Sequence, residues 1–282
     1  MRWDFGKIYK EIRIAKGLTQ AEVCGNQFSR TSLSKFESCQ SLPNIENMVF
    51  LLNQIDMSLE EFRYICNFYK PSKRQEIINL AFNHISITGT KELKELKVLC
   101  ENYLTSHHDT PIEHINDMLG ITIHLRSHGL KSTEKSFLET KEKIWSYLKK
   151  QDNWYFIDFQ LLNSILFSFP IESLELITEM IFERIEKYEG YTSIKPLKKK
   201  LLTNISTIYL YNNFKDRCER VSLKMLELAK EVKRYDSLGF AQVRLGICRG
   251  DDDLIEKGLT LLRLTEEDDL VSMLEEEVKK FR

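Results

Sequence analysis

Apolar residues recur at spacings of three and four along almost the whole chain, the period of amphipathic helices rather than of strands. In residues 4–16, Phe5, Ile8, Ile12 and Ala15 share one face, and Gly17 closes the segment. Thr19 with Glu22 makes a capping box at the head of a short second helix anchored by Leu18 and Val23, and Gly25-Asn26 breaks it. Ser29 caps a third helix. Its Leu33, Phe36 and Glu37 fall on the inner side, while Arg30, Thr31, Ser32, Ser34 and Lys35 fall on the outer side. Pro43-Asn44 opens a fourth helix with Ile45, Met48, Val49, Leu51 and Leu52, and Ser58 with Glu61 caps a fifth. The helix, tight turn and helix between Leu18 and Pro43 form a helix-turn-helix, and its polar face suits a DNA major groove.

Tyr69-Lys-Pro-Ser-Lys-Arg punctuates the pattern, so residues 1–67 are expected to form one domain, 68–73 a linker and 74–282 a second domain. Beyond the linker the periodicity predicts helix pairs: 73–86 with 90–105, 111–127 with 133–149, 152–168 with 171–187, 194–212 with 215–232, and 235–248 with 252–264. A last helix is expected near 267–281. The breaks fall at Gly89, Asp109-Thr-Pro, Gly129, Phe169-Pro170, Gly190, Asn212-Asn213 and Gly250-Asp-Asp-Asp. Leu161-Leu162 recurs as Leu201-Leu202, and Phe240-Ala241 stands near the next multiple of that spacing. Such a period is that of an α-solenoid, whose pairs bury their apolar stripes only by stacking into a curved array with a concave face. A single irregular bundle is the competing arrangement.

Composition agrees with an all-α protein: 5 prolines and 11 glycines in 282 residues. The formal net charge of −1 provides no global attraction to nucleic acid. Charge is uneven, however, with seven Lys/Arg against three Asp/Glu in residues 1–36 and one against five in 37–65. The acidic runs Glu266–Asp269 and Glu275–Glu277 read as a solvated helix face. Cysteines 24, 39, 66, 100, 218 and 248 form no CxxC pair. With no signal-peptide pattern and no apolar run long enough to span a bilayer, a cytoplasmic chain with free thiols is expected, away from the membrane.

Here the segments GLTQAEV, SRTSLSKFES and LPNIENMVFLLNQIDMSLEEF resemble the phage-repressor type of helix-turn-helix, the XRE/Cro/C1 class, over residues 4–66. That resemblance implies that Gln20 touches DNA backbone and base edges and that Arg30, Thr31, Ser32 and Lys35 form the reading face. Arg30 and Lys35 suit guanine or phosphate, and Thr31 suits a thymine methyl. It also implies a semi-buried ion pair between Arg13 and Glu37. Taken whole, the chain resembles the Rgg/MutR/GadR family of transcriptional regulators, with WYFIDFQLLNSILFSF (154–169), LLTNISTIYLY (201–211) and FAQVRLGI (240–247) carrying the likeness in the second domain. The family implies a homodimer on a two-fold operator of double-stranded DNA. Its tetratricopeptide-like domain senses a short hydrophobic peptide pheromone, some members answering to other signals; such a ligand is expected to shift the population of dimers whose readers are correctly spaced or free to touch RNA polymerase.

A peptide backbone is well met by side-chain amides, which donate and accept. Asn163 and Asn204 fall on the first helices of consecutive pairs and suit that task, or else bond to each other between helices. Arg126 and Arg244 are the candidates for a peptide carboxylate, and Phe167, Ile208, Tyr211 and Phe240 for apolar peptide side chains or for the core. His124 and His128 stand one helical turn apart, with His107, His108 and His114 near in sequence. No glutamate follows the first histidine as in a zinc protease, so a surface pair and no metal site are expected. No GxGxxG, P-loop or GxSxG motif is present, so neither an enzyme nor a cofactor is expected. The alternative reading is a helical-repeat interaction module that docks a protein partner, with the repressor-like domain as a second docking surface.

Overall fold

The computed structural model describes residues 4–84, 90–128, 134–191 and 194–282, and among them the backbone forms sixteen α-helices and no strand. The breaks expected at Gly89 and Gly129 lie outside these residues. The chain divides into two compact units, Met1–Ile87 with Thr105–His107, and Thr88–Leu104 with His108–Arg282. Among the described residues no helix is long and apolar enough to cross a membrane.

The first unit contains α1 (Phe5–Ala15), α2 (Gln20–Cys24), α3 (Arg30–Glu37), α4 (Ile45–Gln54), α5 (Leu59–Cys66) and α6 (Lys73–His84). Local chemistry sets their starts. Thr19, Ser29, Asn44 and Ser58 each accept a backbone N–H three residues on, which satisfies one of the donors a helix leaves unpaired at its head. Gly17, at φ +72°, lets the chain turn out of α1. The core gathers Ile8, Tyr9, Leu33, Phe36, Leu51 and Phe62, and the Tyr9 hydroxyl donates to Leu51 O at 3.0 Å. Burial pushes that phenol well above its ordinary range. The inner stripe of α1 includes Gly6, Ile8 and Tyr9, while Ala15 is exposed, because α3 crosses α1 near its beginning. At that crossing a Cβ on Gly6 would stand 1.7 Å from Phe36 O, so only glycine admits the approach.

The second unit runs through α7 (Thr90–Leu104), α8 (Thr110–His128), α9 (Lys135–Leu148), α10 (Phe156–Ile165) and α11 (Ile171–Glu186). It continues with α12 (Lys195–Tyr211), α13 (Lys215–Glu231), α14 (Tyr235–Arg249), α15 (Asp252–Leu264) and α16 (Asp268–Phe281). Each helix packs on its successor through most of the series, and α8 on α10, α10 on α12 and α14 on α16 pack across one. Contacts of both kinds make stacked helix pairs, the α-solenoid arrangement. The last four turns share one device: Asn213, Lys233, Gly250 and Glu266 each take a left-handed φ, between 53° and 72°, just after a helix. Three of these are not glycine, and the sequence pattern marked only the Asn and Gly sites. The helix expected from residue 152 begins at Phe156 instead, since Asp158 Oδ2 accepts the Tyr155 N–H at 2.8 Å and the Trp154 indole donates to Leu148 O at 3.1 Å. From Gly239 to Ile247 helix α14 is buried on every side. Gly239, Gly246 and Gly258 allow α15 to lie against it, and a Cβ on Gly239 would stand 2.9 Å from Gly258 O.

Gly6→Ala is expected to cost roughly 3 kcal/mol or more through overpacking against a carbonyl that cannot retreat. Thermal unfolding followed by circular dichroism reads this directly. A melting temperature within about a degree of the parent's would mean that the α1–α3 crossing yields easily.

Candidate functional site

The helix-turn-helix is α2 and α3, and its geometry follows from three short-range bonds and one buried cluster. Thr19 Oγ1 accepts the Glu22 N–H at 3.2 Å, and the Glu22 carboxylate returns the favour to the Thr19 N–H at 2.7 Å. These bonds hold the Glu22 carboxyl below its usual range. Gly25, at φ +47°, opens the turn, and Ser29 Oγ then accepts the Ser32 N–H at 3.0 Å to start α3. Leu33 and Phe36 point into the core, with the Phe36 ring 5.6 Å from that of Tyr9.

Glu37, 4 % exposed, closes α3. It accepts Arg13 Nε at 2.6 Å on one oxygen and Arg13 Nη2 at 2.9 Å on the other, and Arg13 Nη1 donates to Leu18 O at 2.6 Å. Gln20 belongs to the same cluster: its Nε2 donates to Glu37 Oε2 at 2.8 Å, and the residue is half-buried. One carboxylate thus gathers side chains from α1, α2 and α3. The hydrogen bond to Glu37 raises the Arg13 pKa further, against the opposing effect of burial. On the other side of α3, Arg30, Thr31, Ser32 and Lys35 are all exposed, and Ser32 Oγ accepts from the Ser29 hydroxyl at 2.9 Å.

In the second unit the residues expected to meet a ligand separate into three groups. Asn204 Nδ2 donates to Asn163 Oδ1 at 3.0 Å, joining α12 to α10, and both residues are half-buried. Phe167, in the short 3-10 turn after α10, is half-buried, Arg126 on α8 is exposed, and Tyr211 is exposed with its ring edge-on to Phe281 at 5.0 Å. Ile208 and Phe240 belong to the buried core. Arg244 does not fit the role of carboxylate partner for a ligand. Fully buried, it donates from Nε and Nη2 to the two oxygens of Glu277 at 2.9 and 2.7 Å, and from Nη1 to Thr207 Oγ1 at 3.2 Å. Its guanidinium also lies 4.6 Å over the Phe240 ring. The expected solvated run at 275–277 is corrected at its last member, because Glu277 is 3 % exposed. It stands three residues after the buried Leu274, on the side of α16 that packs against α14.

Glu37→Ala is expected to cost roughly 3–5 kcal/mol, because it leaves the Arg13 charge buried and unpaired. Arg13→Met combined with Glu37→Leu is expected to recover most of that loss. Urea unfolding of the three proteins measures both. A loss for Glu37→Ala no larger than for the exposed Glu46→Ala would remove the pair from this role.

Residues 96–235 match the family model for the C-terminal domain of the HTH-type transcriptional regulator Rgg. Over 96 residues, the chain is 29 % identical to the cryptic phage CTXphi transcriptional repressor RstR of Vibrio cholerae, covering 34 % of this chain and 82 % of that one. Among solved structures, the SHP pheromone receptor Rgg2 of Streptococcus dysgalactiae superposes with a TM-score of 0.71 at 16 % identity, over 98 % of this chain and all of that one. Bacillus thuringiensis PlcR, solved with the peptide PapR7 and DNA, gives 0.64 at 15 % identity over 96 % and 98 %. These likenesses at low identity establish the fold, an all-α repressor-type unit followed by stacked helix pairs. Residues 96–235 thus carry a domain of the Rgg C-terminal type, set behind a helix-turn-helix unit.

Proposed function

We propose that this regulator binds a two-fold operator in double-stranded DNA as a homodimer and that a short hydrophobic peptide, held by the helix pairs, sets its activity at the promoter. The observation that carries the DNA half is the division of α3 into two faces. Glu37, Leu33 and Phe36 are buried, while Arg30, Thr31, Ser32 and Lys35 are exposed together. Arginine and lysine there meet guanine or phosphate, and Thr31 meets a thymine methyl. Gln20 acts first as a brace for Glu37, so its contribution to DNA is the position of α2 as much as any direct contact. One such unit covers too little DNA for tight specific binding, which is why two are expected on one operator, with RNA polymerase as the further partner at the promoter.

Support for the peptide half comes from Asn163 and Asn204. Their single mutual bond is neutral and half-buried, so two amides can exchange it for bonds to an extended backbone at small cost. In this reading Phe167 and Tyr211, which keep exposed ring surface, provide apolar contact, and Arg126 is the cation for a peptide carboxylate. The likeness to PlcR, whose structure contains both a peptide and DNA, supports the same pairing of roles.

Arg30→Ala with Lys35→Ala is expected to weaken binding to the promoter fragment upstream of the protein's own gene by at least about tenfold. The dependence on salt should become shallower by about two charges, with no change of mass in sedimentation. Unchanged fluorescence anisotropy titrations would sink the DNA half, and affinity insensitive to salt would favour a protein-docking role. Asn163→Ala with Asn204→Ala is expected to keep operator binding and lose the response to hydrophobic peptides encoded beside the gene. A double variant that still responds in a promoter reporter would take the two asparagines out of the site.

A further inference from the structure

His124 and His128 stand one turn apart near the end of α8, their rings stacked with centroids 4.6 Å apart. Sequence spacing offered them no third ligand. The fold provides one: Glu134, immediately before α9, brings Oε2 to 3.2 Å from His124 Nδ1. One ligand atom from each of the three residues lies within 4.8 Å of the others. We propose that His124, His128 and Glu134 bind Zn²⁺ or a divalent transition metal of similar softness, fastening the end of α8 to the start of α9.

The donor set decides the class of metal. Two imidazole nitrogens and one carboxylate suit zinc, whereas magnesium and calcium prefer oxygen alone. Histidines at i and i+4 on a helix project from the same side, which brings two ligands to one point. The anchor is His124. Its side chain is 10 % exposed, and the buried Phe137 ring stacks on it at 4.6 Å, so its orientation is fixed from α9. His128 and Glu134 are exposed, and binding a tetrahedral ion requires their donors to close from within 4.8 Å to a spacing of about 3.4 Å. Binding replaces the His124–Glu134 contact with two bonds to the metal and leaves one position for water. A metal held only by the folded pair of helices stabilises them in proportion to its free concentration.

The test uses the full chain stripped of metal, titrated with Zn²⁺ against a chromophoric chelator, with melting followed in parallel. Expected are one ion per chain, micromolar or tighter, and a higher melting temperature with Zn²⁺. His128→Ala, an exposed position, is expected to weaken binding at least tenfold and abolish the thermal shift while its far-ultraviolet spectrum stays that of the parent. Glu134→Gln should weaken binding less. Cys39→Ser, which removes an exposed thiol able to capture zinc, should change nothing. Millimolar affinity, undiminished affinity in His128→Ala, or loss of the ion in Cys39→Ser would each overturn the assignment.

Discussion

A guanidinium leaves water only where a carboxylate and further acceptors replace the hydration it gives up. Among the described residues each unit buries one such group and meets that condition with a two-pronged glutamate. Arg13 meets Glu37 in the first unit and Arg244 meets Glu277 in the second. Each arginine also reaches a third segment, Leu18 O in one case and Thr207 in the other. The helices that contribute these groups therefore have one rotation and one register in which no charge is orphaned.

Such a pair adds little net stability, since an apolar replacement of the same volume fills the space about as well. Its contribution is choice of arrangement. Leu33 and Phe36 would hold α3 against the core through a range of small rotations, because hydrophobic contact is not directional. Glu37 narrows that range, since turning α3 by one residue would carry its carboxylate away from Arg13 and Gln20 together. The same constraint that hides Glu37 thus aims Arg30, Thr31 and Lys35 outward as a set. Gly6 works in the same direction from the α1 side, where its missing side chain lets α1 approach the Phe36 carbonyl. In the second unit Arg244 links α12, α14 and α16 from the middle of α14, where residues 239–247 have no solvent face.

How much of this was legible in the sequence follows from the range of each interaction. Helix starts depend on residues three apart, so Thr19, Ser29, Asn44 and Ser58 marked them, and the segment expected at 194–212 is the helix Lys195–Tyr211. The two faces of α3 were legible for the same reason, since a helical period is local. Gln20 was not: its type and place suit DNA, and only the approach of α2 to the end of α3 engages its amide with Glu37. Glu277 was hidden inside an acidic run whose other members are at least partly solvated, and the α14–α16 packing singles it out. Glu134 joins His124 because α9 folds back along α8, which no spacing rule within one helix can express. The turn residues Lys233 and Glu266 gave no signal because a left-handed residue there is imposed by the stacking of helices rather than by its own preference.

The two polar groups of the helix pairs differ in how readily a ligand could recruit them. To accept a peptide carboxylate, Arg244 would first have to release Glu277, and both charges would then need new partners inside a dry interior. Asn163 and Asn204 carry no charge, and opening their one bond exposes a donor and an acceptor that a peptide backbone can satisfy directly. A ligand acting through the asparagines is therefore read there by its backbone and by the apolar area it buries, and Arg244 takes no part in reading its charge. At roughly 25 cal/mol for each Å² of apolar surface, four or five buried side chains provide several kcal/mol. Moving a two-state equilibrium from one extreme to the other needs about 5.5 kcal/mol of preference for one state. The sum suffices only if most of that burial exists in one arrangement of the helix pairs and not in the other. Selectivity among peptides would then follow from how much apolar surface each one buries in that arrangement.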